Sequence, residues 1–279
     1  MNENTIKLNI LDIIKFIFLF LIVFISAGPF IWALMSSFKS YAEIYSSALS
    51  FPSTLRVKNY IDAFKYAPIA KFFMNSSLIV GSSILITSIC VAMCAYAVSR
   101  FKFTGRRIII LLISVALLLP AQALSQPLFV LLNTLSIFDT KRGLTLVYSA
   151  FGIPITFFVL TSFYRTIPRE MEEAANIDGA NFFKTFITII TPLAKPGIVT
   201  AAILQFINTW NEFYFALMLT SGNTARTIPI ALNYYLGTFA NNYSALFAAV
   251  IVTVLPTIIV FFIAQEQVVQ SLTAGAVVE

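Results

Sequence analysis

Long apolar runs recur along the chain and constrain its fold more than any other feature. They lie near residues 13–35, 76–98, 108–132, 144–163, 197–217 and 245–264. A helix needs roughly 20 apolar residues to cross the hydrocarbon core of a bilayer. The runs are apolar on every face, whereas the strands of a membrane barrel would be short and alternating. The sequence therefore predicts an all-α integral membrane protein with six transmembrane helices.

The composition indicates a chain that folds in lipid. Of the 279 residues, 59% are hydrophobic and only 11% are charged, whereas roughly a quarter of the residues of a soluble domain carry charge. The formal net charge is +6, but the basic residues cluster between the apolar runs. This placement points to lipid headgroups and topology rather than to nucleic acid. We expect one transmembrane domain over residues 1–279, with no nucleic-acid partner.

The first run predicts an uncleaved transmembrane helix, because it extends from Phe16 to about Met35 and is too long for a secretory signal peptide. The short link between the second and third runs carries four basic residues: Arg100, Lys102, Arg106 and Arg107. The positive-inside rule places such a link, and with it both termini, in the cytoplasm. The link between the first two runs is also basic, so the rule favours this topology only weakly.

A hydrophilic segment over residues 165–195 has cap and turn signals of its own. Pro168 suits the first position of a helix, and the glutamates that follow favour its N-terminal half. Asp178-Gly179 is a helix stop signal, and Asn181 is a good N-cap for a second short helix. The small side chains of Ala174 and Ala175 would let another surface approach closely, and Gly179 allows the positive φ of a bend. The segment is therefore predicted to be a compact pair of helices that packs against a partner.

Three motifs resemble those of a known family. Glu173-Ala174-Ala175, followed by Gly179, Ile189 and Pro192, matches the EAA loop of ABC importer permeases. Two further motifs are similar to those of carbohydrate importers, specifically the shorter permease of the maltose type. They are Trp-Asn-Glu-Phe at 210–213 and Ser-Leu-Thr-Ala-Gly at 271–275. The resemblance spans the whole chain. Thr191 departs from it, since the family usually has Leu before the proline, and so do the last residues, 276–279.

The resemblance implies a type I importer permease fold in the inner membrane of a bacterial cell. The segment 165–195 would be a cytoplasmic coupling loop that docks an ATPase through Glu173, Ala174, Ala175, Asp178 and Gly179. The cytoplasmic tail, 265–279, would reach the ATPase interface through Leu272, Thr273, Ala274 and Gly275. Two other interpretations remain open. In the first, the loop is a solvated hairpin without a partner. In the second, the tail is a frayed terminus.

The resemblance also implies the partners: a second permease in a heterodimer, two ATPase subunits, an extracytoplasmic solute-binding protein and a carbohydrate. The binding protein would face the segments 39–71 and 221–244. The chain itself lacks a Gly-Lys dipeptide, and hence a Walker A loop, and it contains no histidine. Cys90 and Cys94 are expected to pack on one helix face. We therefore expect no enzyme activity and no cofactor on this chain, with ATP and magnesium on the partner.

Polar side chains interrupt two of the apolar runs at helical spacing. The stripes comprise Gln205, Asn208, Thr209 and Glu212 with Asn211 beside them, and Gln122, Ser125 and Gln126. Polar groups in hydrocarbon must face a partner or a water-filled path, so both stripes are candidates for a substrate path. Trp210, Phe213 and Tyr214 could add aromatic faces for a sugar. The alternative is hydrogen bonding between helices for purely structural ends, and the resemblance implies that much sugar contact comes from the partner permease.

Two other functions are possible for a chain with these apolar runs. A self-sufficient secondary transporter would need an internal repeat or paired intramembrane charges, and neither is evident. An ABC importer for a non-sugar solute would keep the coupling loop, but the motifs at 210–213 and 271–275 argue against it.

Overall fold

The computed structural model describes the backbone of residues 10–235 and 242–276 and the side chains of 11–235 and 242–265. Within these ranges the chain is helical and has no β-strand, which confirms the all-α prediction. The long helices are α1 (Ile10–Ser37), α4 (Ile69–Arg100), α7 (Lys141–Thr166), α11 (Lys195–Trp210) and α13 (Tyr243–Ala276).

Shorter helices connect these elements. They are α2 (Tyr41–Ser46), α3 (Lys58–Tyr66), α5 (Arg106–Leu118), α6 (Ser125–Thr134), α8 (Glu170–Ile177), α9 (Phe182–Thr185), α10 (Thr191–Leu193) and α12 (Tyr214–Leu219). Two 3₁₀ segments occupy Ala121–Leu124 and Ile228–Tyr235, and a π-helical turn occupies Phe186–Ile190.

Four helices of the described residues are long and apolar enough to cross a membrane without a break: Leu11–Ser37, Ile69–Arg100, Lys141–Thr166 and Tyr243–Gln265. Two further pairs of helices qualify only if each bent pair is one span, which would bring the total to six. The first pair joins Arg106–Leu118 to Ala121–Thr134 at 100°, and the second joins Phe182–Leu193 to Lys195–Trp210 at 72°.

The expected third span, 108–132, is therefore not one continuous helix. Pro120 follows Leu119, whose φ and ψ of −73° and 124° are extended. A residue that precedes proline is disfavoured in the α region, and proline has no N–H to donate. The break between α5 and the following 3₁₀ turn follows from this local chemistry.

The expected fifth span, 197–217, is interrupted as well. Helix α11 ends at Trp210, and α12 begins at Tyr214. At the other end of α11, Pro196 lies in its first turn beside Ala194, the residue at the 72° bend. Helix α11 thus starts after the 72° bend and ends at Trp210, whereas the sequence predicted one unbroken span over residues 197–217.

Contacts divide the chain into two compact units, where the sequence analysis expected one domain. The first takes its described residues from Met1–Ala67 and Leu232–Val252, and the second from Pro68–Ala231 and Thr253–Glu279.

In the first unit, the segment after α1 is held by buried polar contacts. The fully buried Lys39 donates its Nζ protons to the carbonyls of Ser47 and Ala48, at 3.0 and 2.8 Å. Glu43 forms a capping box with Ser40 at the start of α2. Hydrogen bonds from the Ser53 side chain and then from Ser40 lower the pKa of Glu43 from 4.5 to about 2.

The second unit is built on α4, α7 and α11. Two clusters of buried apolar side chains fill it, one around Tyr96, Tyr164 and Ile190, and the other around Ile79, Tyr148 and Leu219. Burial of such side chains is worth about 1.5–3 kcal/mol each relative to exposure in water. These clusters support the two candidate sites described next.

Asp139, in the link between α6 and α7, ties that link to the segment after α12. Its carboxylate accepts hydrogen bonds from the backbone N–H groups of Ser221 and Gly222 at 2.9–3.1 Å. Desolvation raises the pKa of Asp139, but these hydrogen bonds outweigh it and leave the pKa below the usual value of 3.8.

Candidate functional site

Residues 170–193 fold into two short helices joined at a glycine, and we call this segment the knob. Helix α8 ends at Ile177 with Asp178 as its C-cap, and Gly179 has a φ of 78°, a left-handed value that favours glycine. The Asn181 side chain then accepts a hydrogen bond from the Lys184 N–H at 2.9 Å and caps α9. The structure thus has the stop and cap residues where the sequence analysis expected them.

An ion pair anchors the inner face of the knob. The Arg100 Nε lies 2.7 Å from a Glu172 carboxylate oxygen, and the two side chains are 5% and 16% exposed. A second guanidinium nitrogen of Arg100 donates to the carbonyl of Ile167 at 2.6 Å. One side chain at the end of α4 therefore holds both α8 and the residue that follows α7.

Aromatic packing adds to this anchor. The Tyr96 ring lies 5.5 and 5.2 Å from the rings of Phe182 and Phe186, and 5.6 Å from that of Tyr164. Aromatic pairs at such distances contribute about 0.5–1.5 kcal/mol each beyond their burial. The knob is thus fastened to the ends of α4 and α7 by both charge and packing.

The outer face of the knob is open and in part apolar. Glu173, Ala174, Asp178 and Gly179 are exposed, and Ile177 beside them is 86% exposed. Among the described residues, neither the Glu173 nor the Asp178 carboxylate has an ion-pair partner. The two carboxylates and the Ile177 side chain are therefore accessible to another molecule.

Ala175 does not belong to this outer face, so the expectation that it lets a partner approach is wrong in this respect. It is 3% exposed and points toward the chain's own interior. Residues of one helix that are one position apart point in different directions, so Ala174 and Ala175 cannot share a face. Ala175 instead allows α8 to pack closely on the π-helical turn.

The second candidate site is a cleft of about 210 Å³ between α7, α11 and the two helix breaks. Its lining residues are Ala121, Gln122, Tyr148, Phe151, Gly152, Ile155, Gln205, Asn208, Thr209, Glu212, Tyr214 and Phe215. The cleft brings one member of the third-span stripe together with four members of the fifth-span stripe.

Glu212 is the most heavily bonded polar side chain of the cleft. Its carboxylate accepts a hydrogen bond from the Tyr148 hydroxyl at 2.6 Å and others from the N–H groups of Phe215 and Ala216 at 2.7 and 3.0 Å. A carboxylate at a helix N-terminus satisfies N–H groups that have no partner within the helix. Glu212 therefore caps α12 and joins it to α7.

Gln205 connects three helices. Its Nε2 donates to the Thr87 hydroxyl at 3.0 Å, and that hydroxyl donates to the Ser149 carbonyl at 3.0 Å. Gly152 makes room for it, since a Cβ there would overlap the Gln205 side chain. The Gln205 Oε1 is buried and has no hydrogen-bond partner among the described residues. Gln205 therefore bonds helices together but keeps one acceptor available.

Thr209 and the neighbouring Asn211 each donate a hydrogen bond to a carbonyl of α11, and the Asn211 Oδ1 also accepts one from the Thr257 hydroxyl at 3.4 Å. The Thr209 hydroxyl donates to the Gln205 carbonyl at 2.7 Å, and the Asn211 amide donates to the Ile207 carbonyl at 2.8 Å. Asn211 lies outside the cleft lining. Asn208, by contrast, is exposed toward the cleft, and no described residue hydrogen-bonds its side chain.

The third-span stripe splits at the bend. Gln122 lines the cleft, whereas Gln126 does not. The Ser125 hydroxyl pairs with the Tyr214 hydroxyl at 2.7 Å and so connects α6 to α12. In this stripe, Gln122 thus faces the cleft, whereas Ser125 holds two helices together.

Trp210 is not an aromatic face for a ligand. It is 2% exposed, stacks on Phe206 with ring centroids 5.2 Å apart, and donates its indole N–H to the Thr253 carbonyl at 3.0 Å. Phe213 is 38% exposed, and Tyr214 lines the cleft. The expectation of sugar stacking therefore fails for Trp210, because its polar edge and its ring both have partners in the chain.

The sequence analysis missed several residues that complete these sites. It treated Arg100 as a topology signal and Glu172 as a helix-terminal charge, and it gave no role to Tyr148 or Thr87. A basic residue at the last position of an apolar run, like Arg100, is the one local signal that could have suggested an anchor.

The C-terminal tail belongs to α13, whose backbone is helical to Ala276. Leu272, Thr273, Ala274 and Gly275 lie in this helix, but their side chains are outside the described residues.

Comparisons with known proteins bear on these sites. The profile of a family described as "Binding-protein-dependent transport system inner membrane component" matches residues 88–274, which include the knob, the fifth-span stripe and most of the tail.

Among curated proteins, the chain is 38% identical over 249 residues to the diacetylchitobiose uptake system permease protein NgcG of Streptomyces coelicolor, covering 88% of this chain and 82% of the relative. It is 38% identical to the trehalose transport system permease protein SugB of Mycobacterium tuberculosis, with 89% and 91% covered. It is 34% identical to the trehalose/maltose transport system permease protein MalG of Thermococcus litoralis, with 99% of both chains covered.

Among solved structures, a chain of a bacterial ABC transporter involved in the import of the polysaccharide alginate matches with a TM-score of 0.81. The match covers 95% of this chain and 99% of that one at 19% sequence identity. At that identity the similarity concerns the fold, which is that of an ABC importer permease.

Proposed function

Because the chain belongs to the family of binding-protein-dependent transport system inner membrane components, we propose that it is one permease of a carbohydrate ABC importer. In this role it contributes half of a translocation path and takes its energy from a separate ATPase that docks on the knob. Membership of this family argues against a self-sufficient secondary transporter.

The construction of the knob carries the coupling proposal. Its inner face is fixed by the buried Arg100–Glu172 ion pair, and its outer face presents Glu173 and Asp178 without partners among the described residues. A charge that is unpaired in one chain can contribute to binding when a partner supplies the opposite charge. Force applied to the outer face would pass directly to α4. A solvated hairpin without a partner would need neither the anchor nor the exposed Ile177.

The cargo follows from the relatives and the cleft together. Three relatives are named for diacetylchitobiose, trehalose, and trehalose/maltose. Asn208 and Gln122 offer amides to the cleft, and the Gln205 Oε1 offers a buried acceptor. Amides suit the hydroxyl groups of a sugar, whereas a peptide or a phosphonate would call for charged partners. Asn208 and Gln122 are therefore the side chains that we assign to the path.

The remaining roles belong to other chains or to the tail. The proposal places ATP hydrolysis and magnesium on two ATPase subunits, and it includes a second permease and an extracytoplasmic binding protein. Residues 272–275 would contact the ATPases at the end of α13. The chain would be a multi-pass protein of the bacterial inner membrane with both termini in the cytoplasm.

A charge reversal on the knob tests the proposal. In the importer assembled from its co-expressed subunits, Glu173→Lys should prevent co-purification of the ATPase and reduce sugar uptake at least tenfold, about the loss of 1.4 kcal/mol of binding. The exposed Glu173 carboxylate has no ion-pair partner among the described residues, so the permease should still insert and unfold at its usual temperature.

Asp62→Lys, which makes the same charge change on α3, is the matched control and should leave ATPase recovery intact. If Glu173→Lys retains a full complement of ATPase and normal uptake, the knob does not dock the ATPase and the proposal is wrong.

A further inference from the structure

The link between α4 and α5 forms a concave surface that the transport function does not use. Residues 102–108 line a pocket of about 450 Å³, and Gly105, with a φ of 95°, turns the chain into α5. We call this concavity the basic pocket, because Lys102, Arg106 and Arg107 are three of its seven lining residues.

Lys102, Arg106 and Arg107 have no ion-pair partner among the residues that the structure describes. The ion pairs of the described residues are Lys15–Asp12 and Arg100–Glu172, and neither involves the pocket. The Arg106 Nε donates to the Val98 carbonyl at 2.8 Å, which fixes one wall. Lys102 and Arg107 are exposed. Three cations around one concavity create a positive potential that attracts an anion.

An apolar track leads away from the pocket along α5. Its members recur at helical spacing on one face: Ile108, Leu111, Leu112 and Val115, which are 61%, 61%, 64% and 42% exposed. The opposite face of α5, with Ile109, Ile110 and Ile113, packs on the buried cluster around Tyr96. The track and the pocket are therefore continuous on the outside of the unit.

From this continuity we propose that the basic pocket binds the headgroup of an anionic phospholipid whose acyl chains lie along the track. An acidic protein segment would match the charges but would leave the apolar track uncovered, and a free phosphate would use neither Phe103 nor Ile108. Clusters of Lys and Arg next to a transmembrane helix attract anionic headgroups. This lipid site goes beyond the transport function and does not depend on it.

The test compares two double variants of the full-length chain, purified in mild detergent and titrated with phosphatidylglycerol. Native mass spectrometry counts the bound lipids. Lys102→Gln with Arg107→Gln should weaken phosphatidylglycerol binding about tenfold or more. Arg165→Gln with Lys184→Gln removes the same charge from exposed positions outside the pocket and should bind lipid like the wild type. Phosphatidylcholine, which has no net charge, should bind all three proteins weakly.

Three outcomes would overturn the proposal. Equal weakening in both double variants, or none in the first, would mean that the pocket does not select the lipid. Displacement of phosphatidylglycerol by millimolar inorganic phosphate would assign the pocket to a free anion. If a partner subunit protects Lys102 from chemical acetylation in lipid-free detergent, the basic pocket binds a protein. Lys102→Arg with Arg107→Lys keeps both charges and should keep lipid binding, which separates loss of charge from loss of fold.

Discussion

The knob and the cleft were both selected from the sequence for their polar residues, yet the structure uses those residues in opposite ways. On the knob, Glu173 and Asp178 point outward and have no ion-pair partner among the described residues. In the cleft, Glu212 and Gln205 are bonded to their own chain. An unpaired polar group on a surface is available to another molecule, whereas a paired one holds the fold together.

The difference has a consequence for mutagenesis. Changes on the outer face of the knob should alter assembly and leave stability intact, whereas changes at the paired residues of the cleft should lower stability before they alter transport. Asn208 is the exception within the cleft, because its side chain lines the cleft but has no hydrogen-bond partner among the described residues.

Removal of the anchor of the knob should have the largest effect. Arg100→Ala leaves the 16% exposed Glu172 carboxylate unpaired and should destabilise the packing of the knob by about 3 kcal/mol. Limited proteolysis within residues 165–195 and thermal unfolding in detergent measure the change. Arg165→Ala, an exposed arginine near the same end of α7, is the control. Equal protease resistance of the two variants would refute the anchoring role.

A methyl group at Gly152 should disturb the Gln205 connection. In Gly152→Ala the new Cβ overlaps the Gln205 side chain, which is held between α4 and α7. Overpacking of this kind costs about 2 kcal/mol. Gly81→Ala is a matched control, because a Cβ at Gly81 meets nothing within 4 Å. A similar unfolding temperature for both variants would show that Gln205 can move aside, and would favour a role in the path over a structural one.

Neutralisation of Glu212 should weaken the junction of α11 and α12. Glu212→Gln replaces one acceptor oxygen with a donor, so one of its three hydrogen bonds is lost. The expected loss of stability is about 1.5 kcal/mol, measured by thermal unfolding. Tyr148→Phe removes only the hydroxyl and should cost less. Unchanged stability together with altered uptake kinetics would move Glu212 from the fold to the substrate path.

Asn208→Ala should have the smallest effect on stability and a clear effect on transport. Without a partner to lose, the free energy of unfolding should change by about 0.5 kcal/mol or less. The KM for sugar uptake should rise about fivefold, which corresponds to one hydrogen bond of about 1 kcal/mol. Gln126→Ala, outside the cleft lining, should leave KM unchanged. If both variants transport alike, the cleft is not part of the path.

Local features of the fold were readable from the sequence because their causes are local. Gly179 at the bend of the knob and Asn181 at the N-cap of α9 occupy the positions that backbone chemistry requires. Pro120 could have predicted the bend after α5 for the same reason. The hydropathy pattern does not reveal this bend, because apolar residues continue on both sides of the proline.

Pairings between distant residues were not readable. Arg100 and Glu172, or Tyr148 and Glu212, come together only when α4, α7 and α11 pack, and no spacing in a single sequence encodes that meeting. The inward direction of Ala175 follows from the angle at which α8 lies on the core, which composition does not specify. A motif can therefore name a docking segment without telling which of its residues face the partner.

Arg100, the last residue of α4, connects the knob to one end of a long helix. With 32 residues, α4 measures about 48 Å from end to end. Because the Arg100 guanidinium contacts both Glu172 and the Ile167 carbonyl, we expect a rotation of the knob to tilt α4. A tilt of α4 by about 5° about this contact would move its far end sideways by about 4 Å. A shift of that size is enough to widen or close a passage between neighbouring helices.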